Sequence, residues 1–248
     1  MRHLAILLLP LTACASPAIT SQEITKDWRH PWAGATVGSS VTWKTTRYTS
    51  SLDAGGKSIW KETELTRVDT VTKADGSEVE IELNRKGEKE KAVYRLGPPW
   101  ELEGTVSACD GETLSVGQKS FACTVFCIKQ ALEPIGPATY TKVWRSPEAP
   151  VWAVRVVHYF SSVDVKNALW TEELTAIDEV VKVGATELKC AVVRTTFAVE
   201  NGKRRVETEW ITPGIPGRIA RHLHQEFRGD QELKEVTSVR VATAFEKE

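Results

Sequence analysis

The residues of this sequence with the most evident chemistry are the four cysteines in the body of the chain: Cys109, Cys123, Cys127 and Cys190. Cys123 and Cys127 lie four residues apart on one predicted strand, about 13 Å along it, which is too far for a disulfide bond between them. If Gly117, Gln118 and Lys119 form a three-residue turn, Cys109 lies opposite Cys127, and we predict a Cys109–Cys127 disulfide. Cys123 and Cys190 are expected to be buried thiols, with a bridge between them as the alternative.

The histidines and acidic residues do not have the spacing of a metal or catalytic site. His222 and His224 share one face of a predicted strand, and Cys-x-x-x-Cys on a strand is not the spacing of a zinc knuckle. The adjacent Glu172 and Glu173 point to opposite faces of a strand. The sequence contains no P-loop, no Gly-x-Ser-x-Gly and no His-Glu-x-x-His. We therefore expect no metal, no cofactor and no enzymatic activity.

Tryptophan is abundant, with nine copies in the chain. Five lie at positions that face inward in the predicted strands: Trp43, Trp60, Trp144, Trp170 and Trp210. Packing in the core is the ordinary role of such residues. The alternative is that several of them line a groove for an apolar or sugar ligand, because binding pockets are also rich in aromatic side chains.

The first residues read as an export signal. A positively charged start is followed by an apolar run, Leu4 to Leu11, which is too short to span a bilayer. Leu11-Thr12-Ala13-Cys14 resembles the bacterial lipobox. That resemblance implies cleavage before Cys14 and acyl chains on this residue, which anchor the protein in a membrane. Ala15 in place of Asp implies an outer-membrane anchor facing the periplasm. The alternative is cleavage after Ala15, which gives a soluble periplasmic or secreted protein.

These features predict a signal peptide over 1–13, a flexible tether over 14–30 and a single β domain over 31–248. The composition is that of a globular protein, with 41% apolar and 26% charged residues, which argues against a polytopic membrane protein. The formal net charge of −1 gives no broad attraction to nucleic acid.

Period-two alternation predicts an all-β, or mainly β, fold. Val79, Ile81 and Leu83 face inward between outward glutamates, and residues 74–77, with their Asp-Gly pair, predict a hairpin turn. Residues 84–91 are strongly charged and are predicted to be a turn.

An internal repeat covers approximately 109–160 and 177–227, at an offset of 67 residues that falls to 66 at the tryptophan. The first copy contains Val116-Gly117, Phe121, Cys123, Trp144, Pro147, Pro150, Arg155 and His158. The second contains Val183-Gly184, Leu188, Cys190, Trp210, Pro213, Pro216, Arg221 and His224. In each copy the two prolines predict a rigid corner after the tryptophan strand. The fold expected is a curved antiparallel sheet, or incomplete barrel, built from two similar tandem modules.

The succession of glycine turn, cysteine strand and Trp-x-Ser/Thr-Pro corner resembles a group of uncharacterised secreted bacterial β-rich lipoproteins. These proteins are similar in outline to the half-barrel lipoprotein carriers of the Lol type. The resemblance covers roughly 37–245 and implies a concave apolar face that can hold acyl chains. We expect a non-enzymatic, lipid-anchored envelope protein that binds a lipid or another apolar ligand. The alternative is a structural or protein-interaction module of the envelope with a filled core.

Overall fold

The computed structural model describes residues 20–25, 28, 30–52, 55, 57–97, 102, 104–131, 138–160, 168–199, 202–233 and 237–247. Within these residues the chain is almost entirely β. The elements, in chain order, are α1 (Ser21–Thr25), β1 (Ser40–Leu52), β2 (Ser58–Ala74), β3 (Glu78–Arg85), β4 (Glu88–Arg95), β5 (Thr105–Val116), β6 (Lys119–Gln130), β7 (Thr139–Arg145), β8 (Arg155–Phe160), β9 (Ala168–Val183), β10 (Thr186–Ala198), β11 (Lys203–Ile211), β12 (Ile219–Arg228), β13 (Gln231–Glu232) and β14 (Ser238–Glu246).

The strands form where β-branched and aromatic residues alternate with polar ones, and they end at glycine turns. The predicted turn between β2 and β3 is confirmed at residues 75–77. There the Asp75 carboxylate accepts hydrogen bonds from the backbone N–H groups of Ser77 and Glu78 at 3.1 and 2.9 Å. The turn between β3 and β4 is only two residues long, at Lys86 and Gly87. The wider turn predicted over 84–91 is therefore wrong, because most of these charged residues lie in strands.

All strands belong to one antiparallel sheet, in the order β4-β3-β2-β1-β14-β12-β11-β10-β9-β8-β7-β6-β5, with β13 paired to β12. β1 and β14, the first and last strands in the described part of the chain, are neighbours. The sheet is curved and does not close, since its edge strands β4 and β5 do not pair although they are consecutive in the sequence. The predicted all-β curved antiparallel sheet is confirmed.

Bulges bend the long strands and shift their registers. In the β5–β6 hairpin, the register changes between Cys109 and Glu112, so that Asp110 and Gly111 face one residue of β6. The β9–β10 hairpin has a similar irregularity, and its tip reaches β14. There a Cβ atom at Gly184 would lie 3.2 Å from the carbonyl oxygen of Thr243.

Three apolar clusters pack the described part of the chain. The first core contains Val41, Trp43, Val71, Val183 and Trp210. The second core contains Phe121, Val125, Trp144, Tyr159 and Val193. The third core contains Ile24, Leu102, Phe126, Ile128 and Val156. Successive residues of β6, Val125 and Phe126, enter different cores, so this strand is buried on both faces.

Helix α1 lies within the segment predicted to be a flexible tether. Its Ile24 is 1% exposed and packs in the third core, together with Leu102 from the segment between β4 and β5. Within this segment, Ile24 and the partly buried Trp28 cover an apolar patch of β6 to β8. Among the residues that the structure describes, no helix is long and apolar enough to cross a membrane.

Candidate functional site

The predicted groove tryptophans lie mainly in the packed cores. Trp43, Trp144 and Trp210 are buried. Each indole is covered by a guanidinium from a neighbouring strand: Arg240 at 4.5 Å, Arg155 at 5.2 Å and Arg221 at 4.4 Å from the respective ring centre. Each guanidinium thus lies over one face of an indole ring in a cation–π contact. None of the three lines a cavity described below.

Trp170 and Trp60 have different surroundings. Trp170 is half-buried beside the third core, and its ring stacks on His158 at a centroid distance of 5.7 Å. The His158 Nδ1 atom is 2.8 Å from the Thr141 hydroxyl, and burial lowers the pKa of this histidine. The backbone of Trp60 pairs with Ser50, and its side chain lies outside the described part of the structure.

The sulfur atoms of Cys109 and Cys127 lie 2.6 Å apart. The three-residue turn from which this pair was predicted is wrong: the turn consists of Gly117 and Gln118, and Val116 pairs with Lys119. The bulge in β5 then places Cys109 opposite Val125 and diagonal to Cys127, on the same face. Burial and the contact with Cys109 raise the pKa of the Cys127 thiol to about 11. A disulfide between them stays a prediction.

The other two body cysteines occupy equivalent places in the two repeats. The Cys123 thiol donates to the carbonyl oxygen of Phe121, and the Cys190 thiol to that of Leu188, two residues earlier in each case. Each is buried, but they belong to the second and first cores respectively. Cys14, the predicted lipidation site, lies outside the described residues.

The proline corner of the first repeat, with Pro147 and Pro150, lines a cavity of about 560 Å³, which we name the corner cavity. Arg218, at the end of the second corner, also lines it. Its wall combines apolar and polar surface, with slightly more of the former. Its lining residues are Trp28, Pro31, Arg145, Ser146, Pro147, Ala149, Pro150, Val151, Trp152, Ala153, Glu172, Val193, Glu209, Ile211, Arg218 and Ile219. A cavity of this size and composition is typical of a small-molecule site.

Local geometry fixes each corner and the N-terminal segment that borders the cavity. In the second corner the Thr212 N–H donates to the Arg218 carbonyl at 2.7 Å, and Arg218 has a φ of 53°. In the first corner, Arg145 Nη1 and Trp152 Nε1 donate to the carbonyl oxygen of Ile24 at 2.6 and 3.1 Å. Helix α1 is thus attached to the cavity wall at its C-terminal end.

Two carboxyl groups line the cavity from the sheet, Glu172 on β9 and Glu209 on β11. Each side chain is half-buried, because it faces the cavity rather than open solvent. Burial and the neighbouring Glu209 raise the pKa of Glu172 to about 7. Burial also raises the pKa of Glu209, against the opposing effect of His222. A large share of Glu172 is therefore protonated at neutral pH and can donate a hydrogen bond.

Beyond Glu209, histidines and carboxylates alternate on β11 and β12. Glu207 lies 3.8 Å from His222 and 3.6 Å from His224, and Glu226 lies 3.7 Å from His224. Among the described residues, no group of three or more His, Cys, Asp or Glu side chains could hold a metal ion.

The sequence predicted some of the turns that line this cavity but did not predict the cavity itself. We predicted rigid turns at Pro147, Pro150 and the second corner, because these prolines recur in the sequence at a fixed offset. No sequence pattern indicated that Trp28 and Trp152 line a cavity, because neither lies in a strand with alternating apolar and polar residues. Glu172 and Glu209 could not be paired from the sequence, because the register of β9, β10 and β11 brings them together.

No family model matches the chain, and the comparison with curated proteins gives no match. Among solved structures, a Bacteroides fragilis protein described as exported and as having a YmcC-like fold is similar, with 16% sequence identity and a TM-score of 0.36. The similarity covers 86% of this chain and 97% of that one.

Proposed function

We propose that this protein is a non-enzymatic component of the cell envelope that holds an apolar ligand in the corner cavity. The observation that carries the proposal is the cavity itself, because a volume of about 560 Å³, lined in part by Trp28, Trp152, Ile211 and Ile219, matches a small organic molecule. Burying the apolar surface of a ligand there stabilises the complex by about 25 cal/mol for each Å² removed from water.

The two carboxyl groups narrow the class of ligand. A neutral Glu172 can donate a hydrogen bond to a carbonyl, ester or hydroxyl oxygen of the ligand, and a buried polar group without such a partner is costly. A ligand with a carboxylate at this position would face Glu209 and be repelled whenever either glutamate is ionised. We infer an apolar molecule with one uncharged oxygen-bearing group directed at β9 and β11.

The test is a titration with N-phenyl-1-naphthylamine, an uncharged fluorophore that brightens in apolar surroundings. Ile219→Trp fills the cavity, and we expect it to weaken probe binding by at least about tenfold. Val93→Trp is the matched control, since Val93 is 59% exposed on edge strand β4. Ala149→Leu is the second cavity-filling variant, for use if Ile219→Trp does not fold. Unchanged binding in a folded cavity-filling variant contradicts the proposal.

We further propose that the protein is exported and anchored by acyl chains on Cys14, at an outer membrane facing the periplasm. The support is the short apolar leader and the Leu11-Thr12-Ala13-Cys14 sequence. Metabolic labelling with palmitate should mark the protein and be lost in Cys14→Ala. Labelling that persists in Cys14→Ala, or is absent from the unmodified protein, contradicts the anchor and favours a soluble periplasmic or secreted form.

The alternative role is an interaction module that uses its sheet edges. Edge strand β4 exposes Val93 and Tyr94, which gives this alternative its support. The same strand carries Lys89, Lys91 and Arg95, and charged residues on an edge oppose pairing with another chain. The ligand-binding role is therefore favoured. A protein partner lost on Val93→Lys, together with no probe binding, would reverse this preference.

A further inference from the structure

A second cavity, of about 590 Å³, lies over five adjacent strands: β3, β2, β1, β14 and β12. Four arginines line it, one from each of the first four strands: Arg85, Arg67, Arg47 and Arg240. The strand registers place them on one face, because Arg67 pairs with Trp43 and Arg240 with Thr45. We name this cavity, with its four arginines, the basic groove.

The charges of these arginines are only partly compensated. Arg67 is paired with Asp69, through an Nη2–Oδ2 hydrogen bond of 2.7 Å and an Nε–Oδ1 contact of 2.6 Å. Within the described part of the chain, Arg47, Arg85 and Arg240 form no ion pair with a carboxylate. Burial lowers the pKa of Arg240 and the neighbouring Arg67 lowers it further, whereas Asp69 and Glu209 act in the opposite direction.

The acidic side chains at the β12 end contact the histidines of that strand. Glu226 lines the groove but lies 3.7 Å from His224, and Glu207 contacts both His222 and His224. Arg47 and Arg85 are exposed and line the groove without a carboxylate partner in the described part of the chain, whereas the Arg240 guanidinium also lies over the Trp43 ring.

We propose that the basic groove binds a phosphate group. A guanidinium presents parallel N–H donors that match the oxygen atoms of phosphate, and a dianion balances more than one arginine where a single carboxylate would balance one. The hydroxyl groups of Thr45, Tyr48 and Ser238 line the same groove and can donate to the remaining oxygens. The proposal is independent of the corner cavity, which has different lining residues.

The test is calorimetric titration of the Cys14→Ala protein with inorganic phosphate at low ionic strength. The double variant Arg47→Gln/Arg85→Gln changes two exposed arginines and is expected to weaken phosphate binding by at least about tenfold. Arg194→Gln removes a positive charge from an exposed position of β10 outside the groove and should leave the affinity unchanged. Absence of phosphate binding, or equal weakening in the control, overturns the proposal.

A phosphate group can belong to a soluble molecule or to a lipid headgroup, and vesicles separate the two. The same proteins are sedimented with phosphatidylcholine vesicles, with and without phosphatidic acid. Cosedimentation that requires phosphatidic acid and is lost in Arg47→Gln/Arg85→Gln assigns the site to a lipid headgroup. Binding of free phosphate without cosedimentation assigns it to a soluble phosphorylated ligand. Failure to bind either form overturns the proposal, whatever the corner cavity holds.

Discussion

At the scale of single residues, this sheet accommodates buried ionisable groups in two ways. The Asp69 carboxylate, which is 3% exposed, forms an ion pair with the Arg67 guanidinium. Glu172 forms no ion pair with a cation among the described residues, and burial and the neighbouring Glu209 raise its pKa to about 7. The first arrangement stabilises an ion pair beneath the basic groove, and the second provides an uncharged donor in the corner cavity.

The raised pKa of Glu172 makes stability depend on pH. The folded state holds this proton more tightly than the unfolded state, whose pKa is near 4.5, so the stabilisation is complete below that value and is lost as pH rises through about 7. We expect the free energy of unfolding of Glu172→Gln, relative to that of the unchanged protein, to increase by up to about 3 kcal/mol between pH 5 and pH 8. Urea unfolding of both proteins at these two pH values measures the difference. If the difference in unfolding free energy does not change with pH, the raised pKa of Glu172 is contradicted.

The Arg67–Asp69 pair predicts a large effect from a small change. Asp69→Asn leaves the Arg67 guanidinium without a counter-charge next to Arg240, and we expect a loss of about 3 kcal/mol in the free energy of unfolding. Lys44→Gln serves as the comparison, because the Lys44–Glu64 pair is exposed. Its loss should stay below about 1 kcal/mol. Similar losses for the two variants in chemical denaturation would mean that the buried ion pair contributes no more to stability than the exposed one.

At the scale of elements, bulges set the registers of the long hairpins, and the first proline corner supplies part of the wall of the corner cavity. Alternation along the strands is visible in the sequence because side chains in a strand face opposite sides with a period of two. The bulge at Asp110 and Gly111 is not visible, because it depends on how β5 pairs with β6. The disulfide prediction therefore named two cysteines whose sulfurs are close, although the register used to pair them was wrong.

The second corner depends on a glycine that no other residue can replace without strain. Gly217 has a φ of 71°, and a Cβ atom there would lie 2.8 Å from the buried ring of Trp32. Gly202 has a similar φ of 69° but open space around it. We expect Gly202→Ala to cost about 1 kcal/mol from backbone strain alone, and Gly217→Ala to cost at least about 2 kcal/mol more.

Thermal unfolding of the two glycine variants measures this difference. The comparison isolates the contact with Trp32, because the backbone conformations of the two positions are nearly the same. Equal destabilisation would show that the corner can move away from the indole without cost. In that case the wall of the corner cavity is less rigid than its prolines suggest.

At the scale of the whole molecule, the chain order of the strands is almost the spatial order, which is why a sequence reading could reach a curved antiparallel sheet. Two features depend on contacts distant in sequence and were not predictable from local patterns. One is the pairing of β1 with β14, and the other is the separation of the consecutive strands β4 and β5 to opposite edges. Helix α1 is a third case, because only the apolar surface of β6 to β8 gives Ile24 a place to pack.

The central claim is that the corner cavity holds an apolar molecule, and native mass spectrometry of protein purified gently from cell envelopes tests it most directly. We predict a population carrying one additional small molecule, extractable into organic solvent. This population should be retained in Val93→Trp and lost in Ile219→Trp. A protein that is always at its bare mass, or an adduct that persists when the cavity is filled, would contradict the claim.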